Sequence, residues 1–116
     1  MYTVKFTSAF KKNYKLMKKR GMDISLLDDV IEELRWGKEL DGKYKDHVLK
    51  GEYAGFHECH VKPDWLLIYL IENNILTLTL VNTGSHADLF NMIEENATPN
   101  IIPLDTVKEL AHGRTA

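Results

Sequence analysis

The chain has a single cysteine, Cys59, three prolines, and no apolar run longer than the seven residues from Trp65 to Ile71. One cysteine cannot close an internal disulfide, which agrees with a reducing compartment. On an expected strand, Cys59 reads as a small buried apolar side chain rather than a reactive thiol. Seven apolar residues fall far short of the roughly 20 that cross a bilayer. The segment Met1-Tyr2-Thr3-Val4-Lys5 has no basic stretch followed by an apolar core, so the expected location is cytoplasmic, with no membrane partner. Net charge is also scarce: 15 Lys and Arg stand against 17 Asp and Glu, a formal charge of −2. Such a balance gives no global attraction to nucleic acid. No internal repeat or low-complexity tract is present.

A chain of 116 residues with 44% hydrophobic and 28% charged content has the length and composition of one globular domain with a modest core. Its charge is unevenly spread. Residues 1–90 carry 13 basic and 13 acidic side chains, while 91–116 carry 2 and 4, so the excess acid lies in the tail. Lys11, Lys12, Lys15, Lys18, Lys19 and Arg20 crowd onto one segment. A basic helix of this kind can follow RNA phosphates, take an acidic protein partner, or simply present a solvated face.

The expected fold class is α+β. Tyr2 to Phe6 reads as a short strand. Thr7 or Ser8 then caps a helix with Phe10, Tyr14 and Met17 on one stripe, and Gly21 follows it as a stop. Asp23 caps a second helix striped by Leu27, Val30, Ile31 and Leu34 and ended at Gly37, which makes a helical hairpin. After a polar loop through Asp41-Gly42 come strands. Tyr53 to Val61 alternates loosely, Lys62-Pro63-Asp64 turns, and Leu66 to Ile71 is continuously apolar, as for a strand covered on both faces. Leu76-Thr77-Leu78-Thr79-Leu80 alternates as a half-buried strand after a turn at Glu72-Asn73-Asn74. The expectation is an antiparallel sheet with the N-terminal hairpin packed on one face. Residues 91–116, with Pro99 and Pro103, form a C-terminal extension that is mobile or docks a partner, with one short helical stretch over Leu104 to His112.

The sheet-forming region holds His47, His57, His60, Asp64 and His86. Imidazoles titrate near neutral pH and move protons in both directions without a cofactor. His60 and Asp64 flank a tight turn, and His86 follows the strand-ending Thr83-Gly84, so these side chains are expected at one end of the sheet. His57, Cys59, His60, His47 and His86 also include zinc-compatible ligands. On an extended strand, however, His57 and His60 point to opposite faces and cannot share one ion without a bulge.

Three runs carry a family resemblance: Tyr44-Lys45-Asp46-His47, His60-x-x-Pro63-Asp64-Trp65-Leu66-Leu67-Ile68-Tyr69, and Thr83-Gly84-Ser85-His86-x-Asp88-Leu89-Phe90. In this order they resemble RelE/YafQ-type toxins, the ribosome-dependent mRNA interferases of bacterial type II toxin-antitoxin modules. The resemblance covers residues 1–90 and implies a RelE-like fold for them. It implies metal-free endonucleolytic cleavage of translated mRNA by attack of the RNA's own 2′-hydroxyl, with no cofactor. His47, His60, Asp64 and His86 are the catalytic positions it implies, with His86 as acid, Asp64 or His47 as base, and His60 against the phosphate. Trp65 and Phe90 match positions that pack around or stack on the mRNA base, and Lys50, Lys62 and Asn82 complete the substrate contacts. The implied partners are a cognate antitoxin of the DinJ/RelB kind, the ribosome with mRNA in its A site, and operator DNA through the antitoxin complex alone.

Two positions depart from the family pattern. Asn82 stands where an arginine commonly precedes Thr-Gly-x-His, and His57 stands where an arginine often precedes the HxxPDW run. Arginine is the natural donor to a developing phosphorane charge, and losing one such donor costs roughly 10²–10³ in rate. Lys50, Lys62 or His57 are the candidates to compensate. The rival expectation is a catalytically weakened member that acts as an antitoxin-binding module and operon co-repressor.

Overall fold

The computed structural model describes residues 1–89; Phe90 and the extension 91–116, with the helical stretch and docking role expected of it, lie outside the described residues. Seven elements follow one another: β1 (Thr3–Phe6), α1 (Ser8–Lys19), α2 (Ile24–Arg35), β2 (His47–Val48), β3 (His57–Lys62), β4 (Trp65–Glu72) and β5 (Thr77–Gly84). The helices begin where side-chain acceptors meet free backbone amides. Thr7 Oγ1 accepts from Phe10 N at 3.0 Å and donates to Val81 O at 2.6 Å, so the cap of α1 is also its tie to β5. Asp23 caps α2 by accepting from Ser25 N at 3.1 Å.

The five strands form one sheet in the order β1-β5-β4-β3-β2. Strands β2 to β5 make the expected antiparallel meander, but β1 runs parallel to β5, with Thr3 opposite Thr77 and Phe6 opposite Leu80. The sheet is therefore mixed. The parallel pair is joined by the whole chain between them, the helical hairpin and then β2 to β4, since a tight turn cannot connect parallel strands.

Both faces are covered. On one, Phe10, Met17, Leu27, Val30 and Leu34 from the helices pack on Cys59, Trp65, Leu67, Tyr69, Leu78 and Leu80. On the other, Leu49, Tyr53, Phe56 and Leu89 fold over Leu66, Ile68, Leu70 and Val81. This second layer explains a departure from the alternation of Leu76 to Leu80. β5 is an inner strand, so Thr77 and Thr79 are buried as well, while Leu76 lies outside the strand with left-handed backbone at φ +47° and is exposed. Burial also pushes the Cys59 thiol pKa up, in keeping with an inert core position. Among the described residues no helix is long and apolar enough to cross a membrane.

Leu67 is fully buried in β4, within the core that the helices and the sheet share. Leu67→Ala should lower the unfolding free energy by about 2–5 kcal/mol in urea titration, without altering the far-ultraviolet spectrum of the folded state.

Candidate functional site

Strand alternation sorts the polar side chains of β3 onto two faces. Glu58 and His60 leave on the side away from the helices, while His57 and Cys59 face the helical layer. β2 pairs with β3 so that His47 stands opposite Glu58, which brings it to the same face. The Glu58 carboxylate is 6% exposed; its Oε1 lies 3.3 Å from His47 Nε2 and 3.8 Å from His60 Nε2, and its Oε2 is buried without a hydrogen-bond partner. His47 Nδ1 lies 2.9 Å from the carbonyl oxygen of Lys45. A carbonyl only accepts, so this nitrogen carries a proton and Nε2 is the end that faces Glu58.

The β3–β4 corner and the segment after β5 add the other half. His60 and His86 rings stand 5.8 Å apart. Asp64 Oδ1 accepts from the His86 backbone amide at 2.8 Å and from His86 Nδ1 at 2.5 Å. These two bonds, the backbone one first, hold the Asp64 carboxyl below its ordinary value. They leave His86 Nε2 as the free end of its ring. Asp88 closes the same turn: it accepts from Ser85 N at 2.9 Å and from both Arg20 guanidinium nitrogens at 2.7 and 3.0 Å. The Arg20 fork, with Ser85, lowers the Asp88 carboxyl pKa to about 2. Gly84 is required here, since a Cβ on it would lie 2.8 Å from Asp88 Cβ.

The structure thus brings His47, His60, Asp64 and His86 into one string, and it inserts Glu58, which the sequence reading missed. A carboxylate on a strand beside a core cysteine carries no motif. The register of a two-residue strand, which periodicity cannot detect, is what places it. Three other positions engage the helical layer instead. Trp65 is 1% exposed and its Nε1 donates to Thr83 Oγ1 at 3.1 Å, so it fills the helix-side core and is closed to base stacking. Asn82 accepts from Asn13 Nδ2 of α1 at 2.7 Å and so is engaged with the helical layer. His57 faces away from this string: its ring stacks on Tyr69 at 4.9 Å and its Nδ1 lies 3.4 Å from Asp46 Oδ2. Tyr69 OH donates to Asp46 Oδ1 at 2.5 Å, so Asp46, next to His47, is clamped from the central strand. Lys50 and Lys62 are exposed, Lys50 just past β2 and Lys62 at the end of β3. No group of three or more His, Cys, Asp or Glu suited to a metal ion occurs among the described residues.

Comparison with known proteins gives concordant matches. Residues 2–91 match the family model described as bacterial toxin of type II toxin-antitoxin system, YafQ. The mRNA interferase toxin YafQ of Escherichia coli strain K12 is 35% identical over 88 residues, covering 75% of this chain and 94% of the relative. A metal-bound toxin from Helicobacter pylori superposes with a TM-score of 0.73 at 46% identity, over 78% of this chain and all of that one. In the Escherichia coli DinJ-YafQ complex the matching chain gives a TM-score of 0.71 at 34% identity, over 78% of this chain and 99% of that one.

The turn that presents His86 should respond to acid. Because Asp64 and Asp88 are depressed on folding, their contribution is complete above the ordinary carboxylate value of 3.8 and is lost as pH falls, through about 2 for Asp88. The Asp88 carboxyl carbon resonance should hold steady from neutrality to about pH 4 and then move, with a midpoint near 2. Gly84→Ala should displace the Ser85 and His86 amide resonances already at neutral pH.

Proposed function

The chain belongs to the YafQ family of toxins from type II toxin-antitoxin systems, and from that premise we propose that it is a ribosome-dependent endoribonuclease that cleaves translated mRNA and so inhibits translation. The observation that carries this reading is the convergence of three imidazoles and two carboxylates at one end of the sheet, with successive separations of 3.3, 3.8, 5.8 and 2.5 Å. RNA supplies its own nucleophile. A base withdraws the 2′-hydroxyl proton, the O2′–P bond forms, the P–O5′ bond breaks, and an acid returns a proton to the departing 5′-oxygen. The products are a 2′,3′-cyclic phosphate and a 5′-hydroxyl end.

In this scheme His47 is the base, with His60 beside it against the phosphate. Glu58 faces both rings and offsets the positive charge that a proton brings to either. His86 is the acid through its free Nε2, and Asp64, whose oxygen is already committed to His86, orients that ring rather than acting as a base. Lys50 and Lys62 supply cations to the RNA backbone, and Phe90 a stacking surface. With Asn82 bonded to α1, no arginine stands where the family commonly places one, which sets the expected rate below that of arginine-bearing relatives by roughly 10²–10³. The groove along α1 lined by Lys11, Lys12, Lys15 and Lys19 suits ribosomal RNA. A DinJ-like antitoxin is the cognate inhibitor, as the Escherichia coli relative is found in complex with DinJ, and operator DNA is reached through that complex.

The same Asn82 contact favours a second reading, a weakened toxin that serves mainly as an antitoxin-binding module and co-repressor. Primer extension on mRNA in a translating extract separates the two. The nuclease reading expects new codon-phased 5′ ends, reduced about 10²–10⁴-fold in His86→Ala. Antitoxin binding without cleavage by the unaltered chain would leave only the module.

A further inference from the structure

A groove of about 320 Å³ lies between β1, α1 and α2, and its apolar walls take no part in the cleavage scheme. Phe6, Phe10, Tyr14, Ile31 and Leu80 line it, together with the charged residues Lys11 and Lys15. The aromatic rings form a ladder, with Phe6 and Phe10 centroids 6.3 Å apart and Phe10 and Tyr14 centroids 5.8 Å apart. Tyr14 OH donates to Asp28 Oδ1 of α2 at 2.8 Å, which holds the last ring between the two helices. β1 is an edge strand with β5 as its neighbour, and its Phe6 side chain is 56% exposed. An exposed phenylalanine continuous with an apolar groove marks a surface that another segment covers.

The chain itself supplies a segment of matching chemistry. The family match ends at residue 91, and residues 91–116 carry 4 acidic against 2 basic side chains. Leu89 is buried, and Asp88 beside it is held by Arg20, the residue that caps the C-terminal end of α1, so the extension starts from that end of the helix. Followed back along α1 from there, Lys19 and Lys15 come first and the aromatic groove with Lys11 after them. The extension has the same order: Glu94-Glu95 first, then Pro99-Asn100-Ile101-Ile102-Pro103-Leu104, then Asp105. Its two prolines pre-set an extended backbone and lower the entropy lost on ordering, and aromatic-lined grooves take such segments. Reach is sufficient, since Arg20 to Phe10 is about 15 Å along the helix and residues 90–100 can span roughly 35 Å. We infer that residues 94–105 dock along α1 of their own chain, with Ile101, Ile102 and Leu104 in the aromatic groove and the carboxylates of Glu94, Glu95 and Asp105 beside Lys19, Lys15 and Lys11. A tethered segment meets its site at an effective concentration on the order of mM, so a weak contact suffices and a second molecule is at a disadvantage. Lys11, Lys15 and Lys19 also line the groove offered to ribosomal RNA, so the docked segment competes with RNA for them. That consequence rests on the ribosomal RNA reading; the docking does not.

The test uses the full chain, isotopically labelled and carrying Thr106→Cys with a nitroxide on the new thiol; Cys59 is fully buried and stays unmodified. The nitroxide should broaden the amide resonances of Phe6, Lys11, Tyr14 and Ile31, while Val48 and Glu58 toward the far edge of the sheet keep their intensity. Glu94→Gln, Glu95→Gln and Asp105→Asn together should lower the docked fraction about threefold or more, as expected for three exposed ion pairs. Ile101→Ser, Ile102→Ser and Leu104→Ser together should abolish the broadening. Both variants change only residues beyond 89, and unshifted β4 resonances report that the fold is intact. Silence at all four positions would overturn the inference and leave the groove to another protein. Broadening centred on His60 and His86 would overturn it in favour of the cleavage string as the docking site. Equal broadening when the nitroxide sits on an unlabelled copy mixed with a nitroxide-free labelled one would overturn it in favour of a second molecule. Broadening unchanged in either variant would overturn the chemical match.

Discussion

The arrangement of this molecule turns on one buried carboxylate. Glu58 has almost no contact with solvent, and one of its oxygens has no hydrogen-bond partner. An isolated charge in that position costs several kcal/mol, and what offsets it here is a pair of imidazoles facing its other oxygen. His47 reaches that oxygen because β2 pairs with β3 at this residue, and His60 because it lies two positions along the same strand. A proton taken up by either ring therefore arrives beside an oxygen of that carboxyl group. Preorganised electrostatics of this kind need no rearrangement at the moment of reaction.

The scaffold makes that placement possible by covering the sheet unequally. Helices α1 and α2 cover one face, and the layer formed by Leu49, Tyr53, Phe56 and Leu89 seals only the middle of the other. The far end of that second face is left to polar side chains. Three connections converge on it: the segment ending in His47, the β3–β4 corner with Asp64, and the turn after Gly84 with His86. Each is tied to a rigid element by a carboxylate. Asp46 is clamped by Tyr69 of the central strand, Asp64 fastens the His86 turn, and Asp88 fastens the same turn to Arg20 at the end of α1. His47 and His60 stand on strands, Asp64 and His86 in the connections, and these carboxylate ties hold the connections to β4 and α1.

How much of this could be read from the chain alone follows the range of the forces involved. Caps, stripes and stops are local, so the helical hairpin over Ser8 to Arg35 and the central strand over Trp65 to Glu72 were legible, as was the pairing of the Asp64 corner with His86. Register and facing depend on partners distant in sequence. The parallel pairing of β1 with β5, the two-residue strand at His47, and hence the role of Glu58 were not legible for that reason. Trp65 shows the opposite failure. Its motif resembles a base-contacting position, but the alternation of β4 turns the indole into the helix-side core, where its N–H is satisfied by Thr83. Of the two departures from arginine that the sequence offers, Asn82 is hydrogen-bonded to Asn13 of α1, and His57 is stacked on Tyr69 on the helical side.

Glu58 is thus expected to act through the two imidazoles it faces, and a double-mutant cycle in single-turnover cleavage of ribosome-bound mRNA tests this most directly. Glu58→Gln in the unaltered chain should slow cleavage by at least about tenfold, and the same change in a chain already carrying His47→Ala and His60→Ala should add almost nothing. Equal losses in the two backgrounds would contradict that role and leave Glu58 as a residue of the fold alone.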